Sequence, residues 1–198
     1  MMRWVITALL VAAWVYLLRL LRKSELWFWR FLLGACGLFL LLFALVRPLL
    51  TVPLARLVAA LAGVVGTATG TFSAFYKYGI LFIHSAAGAI TLQIDFECSG
   101  IIEIIAFLSL LAFFNVYRPG EKAIISVLGT IGIILANVVR LLVICGMIYV
   151  GGTNVYYIAH TIVGRLVFYV LSILLYFYVF TKPQILRTKI GKFSYEHH

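Results

Sequence analysis

Residues 123–150 read Ala123-Ile-Ile-Ser-Val-Leu-Gly-Thr-Ile-Gly-Ile-Ile-Leu-Ala-Asn137-Val-Val-Arg140-Leu-Leu-Val-Ile-Cys145-Gly-Met-Ile-Tyr-Val150. A helix that spans a bilayer needs about 20 mostly apolar residues, because it rises about 1.5 Å per residue through about 30 Å of hydrocarbon. This run exceeds that length and holds one charge, Arg140. Four further apolar runs, roughly 4–20, 27–46, 101–117 and 155–180, meet the same condition. Across all 198 residues, 65% are hydrophobic and 11% are charged, and the mean hydropathy is +1.13. A soluble domain of this size has too little interior to hide so much apolar surface. That excludes a soluble enzyme, a nucleic-acid-binding module and a disordered tail. The expected fold is an all-α integral membrane helix bundle of about five transmembrane helices, forming a single membrane domain over residues 1–198.

The net charge is +10, from 16 Lys and Arg against 6 Asp and Glu. In a soluble protein this excess would point to nucleic acid. Here the basic residues sit between apolar runs, where they set orientation, and no nucleic-acid partner is expected. Arg19, Arg22, Lys23 and Arg30 mark one cytoplasmic loop, and Arg118 and Lys122 mark a second. Lys182, Arg187, Lys189 and Lys192 mark residues 182–198 as a basic cytoplasmic tail. The first apolar run lacks a small-residue cleavage pattern and is followed by basic residues, so it reads as a retained span. The terminal His197 and His198 are assigned no role.

Residues 47–99 are different. Arg47-Pro48 and Pro53 are expected to end the second helix, because proline lacks an N–H and clashes with the preceding turn. Residues 54–70 read as an interfacial or shallow helix, or as a span rich in small residues (Ala60, Gly63, Gly66, Gly70). Residues 79–96 alternate apolar Ile90, Leu92, Ile94 and Phe96 with polar positions behind the small-residue stretch Ala86-Ala87-Gly88. This period-two pattern predicts a β-hairpin. An open-edged hairpin cannot lie in lipid, so 47–99 is expected to be an external or membrane-surface insert. If 54–70 instead crosses the bilayer, a second crossing must precede Cys98, and the count becomes seven.

Ionisable groups inside a span cost roughly 2.5–3.5 kcal/mol each, so they usually act. Glu103, Arg140, His160 and Arg165 are the candidates. Arg140 lies about 15 Å along its helix from the outward end, too deep for easy escape to water. It reads as a structural partner of Glu103, as a head-group contact for a snorkelling side chain, or as a fixed anion clamp, with Asn137 one turn away on the same face. Gly164, one turn beyond His160, is expected to leave space beside the imidazole. Arg165 points elsewhere and suits a partner-helix or lipid-phosphate contact. Cys98 stands at the start of a membrane helix, where free N–H groups favour a thiolate. Cys36 and Cys145 read as small apolar fillers. A thiol nucleophile needs a base and a group that stabilises the oxyanion, and Cys98, His160 and Arg140 are of those types. No zinc-ligand spacing, Gly-rich phosphate loop or cofactor motif appears, so neither metal nor cofactor is expected.

The blocks Glu97-Cys98-Ser99-Gly100-Ile101, Asn137-Val-Val-Arg140-Leu141, and Ala159-His160 followed by Gly164 resemble the exosortase/archaeosortase family of membrane-embedded cysteine transpeptidases. The chain looks most like the compact variants of Gram-positive bacteria. The resemblance implies a plasma-membrane enzyme whose active site faces outward. Its partner would be a membrane-anchored substrate protein with a C-terminal sorting signal: a short motif, a hydrophobic helix and a basic cluster. Cys98 would attack the peptide bond and form a thioester, His160 would act as acid and base, and Arg140 would hold the oxyanion or the substrate carbonyl. Asn137, Ser99, Gly100 and Glu103 would support them. The competing reading is a non-catalytic membrane component of exopolysaccharide export, or a small transporter, with Arg140 and His160 lining a pathway or a lipid site.

Overall fold

The computed structural model describes residues 2–185 apart from 86, 87, 95 and 97. The expected turn at Ala86-Ala87, the acid Glu97 beside the cysteine, and the tail beyond Ile185 therefore lie outside the described residues. The helices are α1 (Met2–Lys23), α2 (Trp27–Thr69), α3 (Ile101–Phe113), α4 (Pro119–Gly151) and α5 (Gly164–Tyr176). Strands β1 (Phe72–Phe75), β2 (Ile80–Ser85) and β3 (Gly88–Gln93) lie between α2 and α3. The segments Trp27–Thr69, Pro119–Val155 and Ile158–Ile185 are long and apolar enough to cross a membrane. The molecule is a helical membrane protein with a small sheet at one end.

The second helix does not end at its prolines. α2 runs through both Pro48 and Pro53 as one 43-residue helix. At about 1.5 Å per residue it is about 65 Å long, twice the hydrocarbon thickness. Each proline removes one helical donor, and between them the Thr51 hydroxyl adds a donor to the Arg47 carbonyl oxygen at 2.7 Å. Packing does the rest. Just past Pro53, Ala55, Val58, Ala59 and Ala62 are buried in one cluster with Phe72, Leu81, Ile83 and Leu92 of the sheet. Burial of that face keeps the helix continuous through prolines that would otherwise end it.

β2 and β3 pair antiparallel with Ile83 opposite Ile90 and Leu81 opposite Leu92. A third strand, β1, joins the other side of β2, with Phe72 opposite Ile83, giving the order β1-β2-β3. The sequence pattern misses β1 because Phe-Ser-Ala-Phe is too short to alternate visibly. Its place depends on the glycines of α2. A Cβ on Gly63 would fall 2.5 Å from the Ala74 Cβ, and one on Gly66 would fall 2.5 Å from the Phe72 ring. The small residues of α2 are thus filled from inside, by the sheet.

α3 is shorter than its apolar run. It ends at Phe113 with 13 residues, about 20 Å of axis rather than a full span. The chain turns extended at Phe114, and the Lys122 ammonium donates to the Ala112 carbonyl oxygen at 2.7 Å, closing the helix end. α4 starts two turns of chain later, with Pro119 in its first turn and the Glu121 carboxylate accepting from the Arg118 N–H at 2.9 Å. The last apolar run is also not one regular helix. Ile158–Val163 and Phe177–Thr181 are π-helical, on either side of α5. Phe107, Leu111, Ile133 and Phe168 form a second buried cluster where α3, α4 and α5 meet.

Replacing Gly63 by Leu should push β1 off α2 and destabilise the protein by about 1–3 kcal/mol, the usual cost of overpacking. Thermal unfolding of the purified chain in detergent checks this, with an unchanged melting point counting against the packing described.

Candidate active site

The chain leaves β3 through Ile94, whose N–H donates to the Gly79 carbonyl oxygen at 2.8 Å. It then makes a tight turn into α3. The Ser99 hydroxyl, fully buried, donates to the Phe96 carbonyl oxygen at 2.9 Å and accepts from the Ile101 N–H at 3.4 Å. Gly100 sits in the left-handed region at φ +79°, which side chains rarely adopt, and a Cβ there would approach Asn137 Nδ2 to 3.4 Å. Ser99 and Gly100 together bend the backbone so that Cys98 is buried against the middle of α4.

Asn137 and Arg140, both buried, face this turn from α4. Asn137 Nδ2 donates to the Cys98 carbonyl oxygen at 2.6 Å. One turn further, Arg140 Nη2 donates to Cys98 Sγ at 3.6 Å. The two residues share a helix face, as their spacing of three requires. The guanidinium also lies 5.8 Å from the centre of the Phe168 ring. Glu103 interacts electrostatically with Arg140. Its Oε2 is buried with no hydrogen-bond partner among the described residues.

His160 completes the cluster. Its Nε2 lies 3.3 Å from Cys98 Sγ, across a sequence separation of 62 residues. It stands in the π-helical stretch Ile158–Val163. A π-turn carries one extra residue, which rotates a side chain off its α-helical direction, and such turns recur at functional sites. The ring stacks in parallel on Tyr156, with centroids 5.8 Å apart and an interplanar angle of 2°. Gly164 does not leave open space beside the imidazole. A Cβ there would meet Ile144 at 2.5 Å and the Ala159 carbonyl oxygen at 3.0 Å, so this glycine lets α4 approach the helix of His160 closely.

Cys98, Arg140, His160, Asn137, Ser99 and Gly100 therefore meet at one place. Arg165 is exposed. Cys145 is buried, as a filler should be, whereas Cys36 is exposed. The sulfur is held by side chains of α4 and of the π-helical stretch, in addition to its place ahead of α3. Tyr156 escaped the sequence reading. It lies one turn before His160, but it is one of 11 tyrosines in the chain and carries no pattern of its own. Among the described residues no three His, Cys, Asp or Glu side chains gather as a metal site.

A thiol with an imidazole nitrogen and a guanidinium both on its sulfur is an arrangement suited to acyl transfer. The structure thus defines a multi-pass membrane protein with a Cys–His–Arg cluster in which Cys98 and Arg140 are buried and His160 is half-buried. Residues 2–178 match the family model described as transmembrane exosortase (Exosortase_EpsH), and the chain belongs to that family. No curated protein and no solved structure matches it.

Asn137→Ala should leave the buried Cys98 carbonyl without its donor and lower stability by about 1–3 kcal/mol. Unfolding in detergent measures this, and a loss below a few tenths would mean that Asn137 does not hold the turn.

Proposed function

We propose that this exosortase-family protein is a membrane-embedded cysteine transpeptidase or peptidase acting on a C-terminal sorting signal. The observation that carries the reading is the 3.3 Å approach of His160 Nε2 to Cys98 Sγ, with Arg140 Nη2 on the same sulfur at 3.6 Å. His160 takes the thiol proton as Cys98 Sγ adds to the scissile carbonyl carbon. The carbonyl π-electrons move to oxygen, and the oxyanion is stabilised by the Arg140 guanidinium. The intermediate collapses to a thioester as the C–N bond breaks, and His160 returns its proton to the leaving amine. An incoming amine or water then attacks the thioester and releases the thiol. Asn137, Ser99 and Gly100 hold the backbone of the nucleophile, and Tyr156 holds the imidazole plane.

The topology that accompanies this reading has five crossings. Arg19, Arg22, Lys23 and Arg30 before and within α2, and Arg118 and Lys122 before α4, face the cytoplasm. The sheet, the Cys98 turn and the α4–α5 junction then face outward from the plasma membrane. The short α3 crosses with the help of its flanking turns, which are tolerated at membrane depth where protein covers them. A substrate anchored by its own C-terminal helix would present its scissile bond at the outer rim of the bilayer, level with Cys98.

The test compares cells that carry the wild-type chain with cells that carry Cys98→Ala, by mass spectrometry of membrane-protein C-termini. Proteins ending in an apolar helix and a basic cluster should lose that tail only with the wild type. His160→Ala should slow the processing by about 10²–10⁴ and Arg140→Ala by about 10²–10³. Unchanged tail removal in the Cys98→Ala cells would overturn the proposal.

A further inference from the structure

A cavity of about 840 Å³ lies away from Cys98, between the middle of α2 and the sheet. Arg47, Arg56 and Lys77 line it, together with the aromatic rings of Phe43, Tyr78 and Phe96. Three cations in one cavity repel one another, and none of its described lining residues is acidic. Arg47 is the best held, with its guanidinium 4.1 Å from the Phe96 ring centre and 5.1 Å from that of Phe43. Cation–π contacts fix the direction of the guanidinium without neutralising it. Among its described lining residues every charge is therefore positive, set beside apolar walls.

Its depth says what would balance it. Arg47 lies 20 residues along α2 from Trp27, about 30 Å of axis, which is one hydrocarbon thickness. Trp27 begins the helix next to the basic Arg19, Arg22 and Lys23 of one membrane face, so Arg47 stands at the opposite face, level with the headgroups. Below it Leu40 is 65% exposed, and beside it Leu49 is 72% exposed, both as surface suited to acyl chains. A ligand that fits has a fixed negative charge above an apolar body.

We propose that this cavity binds the phosphate headgroup of an anionic membrane phospholipid, with Arg47, Arg56 and Lys77 around the phosphate and the acyl chains along Phe43 and the exposed leucines of α2. The site does not depend on the chemistry proposed for Cys98. The lipid would tie the sheet to the bilayer at the point where α2 leaves the hydrocarbon.

Native mass spectrometry of the full chain in a neutral detergent, titrated with phosphatidylglycerol, tests the site. Phosphatidylglycerol should bind at least tenfold more tightly than diacylglycerol. The double variant Arg56→Gln, Lys77→Gln, changed only at exposed positions, should bind it about tenfold more weakly, because each cation near a membrane surface adds to the attraction. The charge-conserving Lys77→Arg should bind as the wild type does. Equal binding of phosphatidylglycerol by the wild type and the double variant would overturn the proposal. So would binding of inorganic phosphate as tight as that of the lipid, or an acidic peptide that distinguishes the two chains where the lipid does not.

Discussion

The hydrogen bond from Asn137 Nδ2 to the Cys98 carbonyl oxygen, at 2.6 Å, ties the turn before α3 to the middle of α4. On one side of it stand α2 and the sheet, which deliver the chain to the turn before α3. On the other side stands α4, which also carries Arg140. In an apolar protein a backbone carbonyl at this depth must find its donor within the fold. Asn137 is that donor, and its helix brings Arg140 to the sulfur one turn later. The positive φ of Gly100 lets the chain turn into α3 beside the asparagine.

The remaining architecture follows from how that turn is held from the outside. α2 extends far beyond a single span, and its small residues take up the sheet. The sheet in turn places Ile94 and Phe96 ahead of Cys98. Gly164 performs the corresponding task at the other end, where it brings α4 and the helix of His160 into contact through Ile144. Close backbone approach through small residues is the common means of packing membrane helices, because lipid offers no hydrophobic gain for burying large ones.

The residues that meet around Cys98 are more legible in the sequence than the packing that brings them together. A charge deep in an apolar run has few innocent explanations, so Arg140 stood out at once, with Asn137 on the same face. His160 and Cys98 were visible as residue types, while their meeting was not, since nothing local encodes a contact 62 residues apart. The prolines misled because a helix break is a local rule, whereas the burial of Ala55, Val58 and Ala59 against the sheet is a tertiary one. β1 was invisible for the same reason: it is a strand only because β2 and α2 are there. The π-helical turn at His160 leaves no periodic trace in so uniformly apolar a run.

The central claim is that Cys98, Arg140 and His160 behave as one chemical unit. Alkylation of Cys98 by iodoacetamide at neutral pH tests it without any substrate, in a chain where Cys36 and Cys145 are replaced by serine. The thiolate is the reacting species, and on the proposed reading the imidazole and guanidinium sustain it, so His160→Gln and Arg140→Gln should each slow the reaction about tenfold or more. A rate unchanged by either substitution would contradict the account.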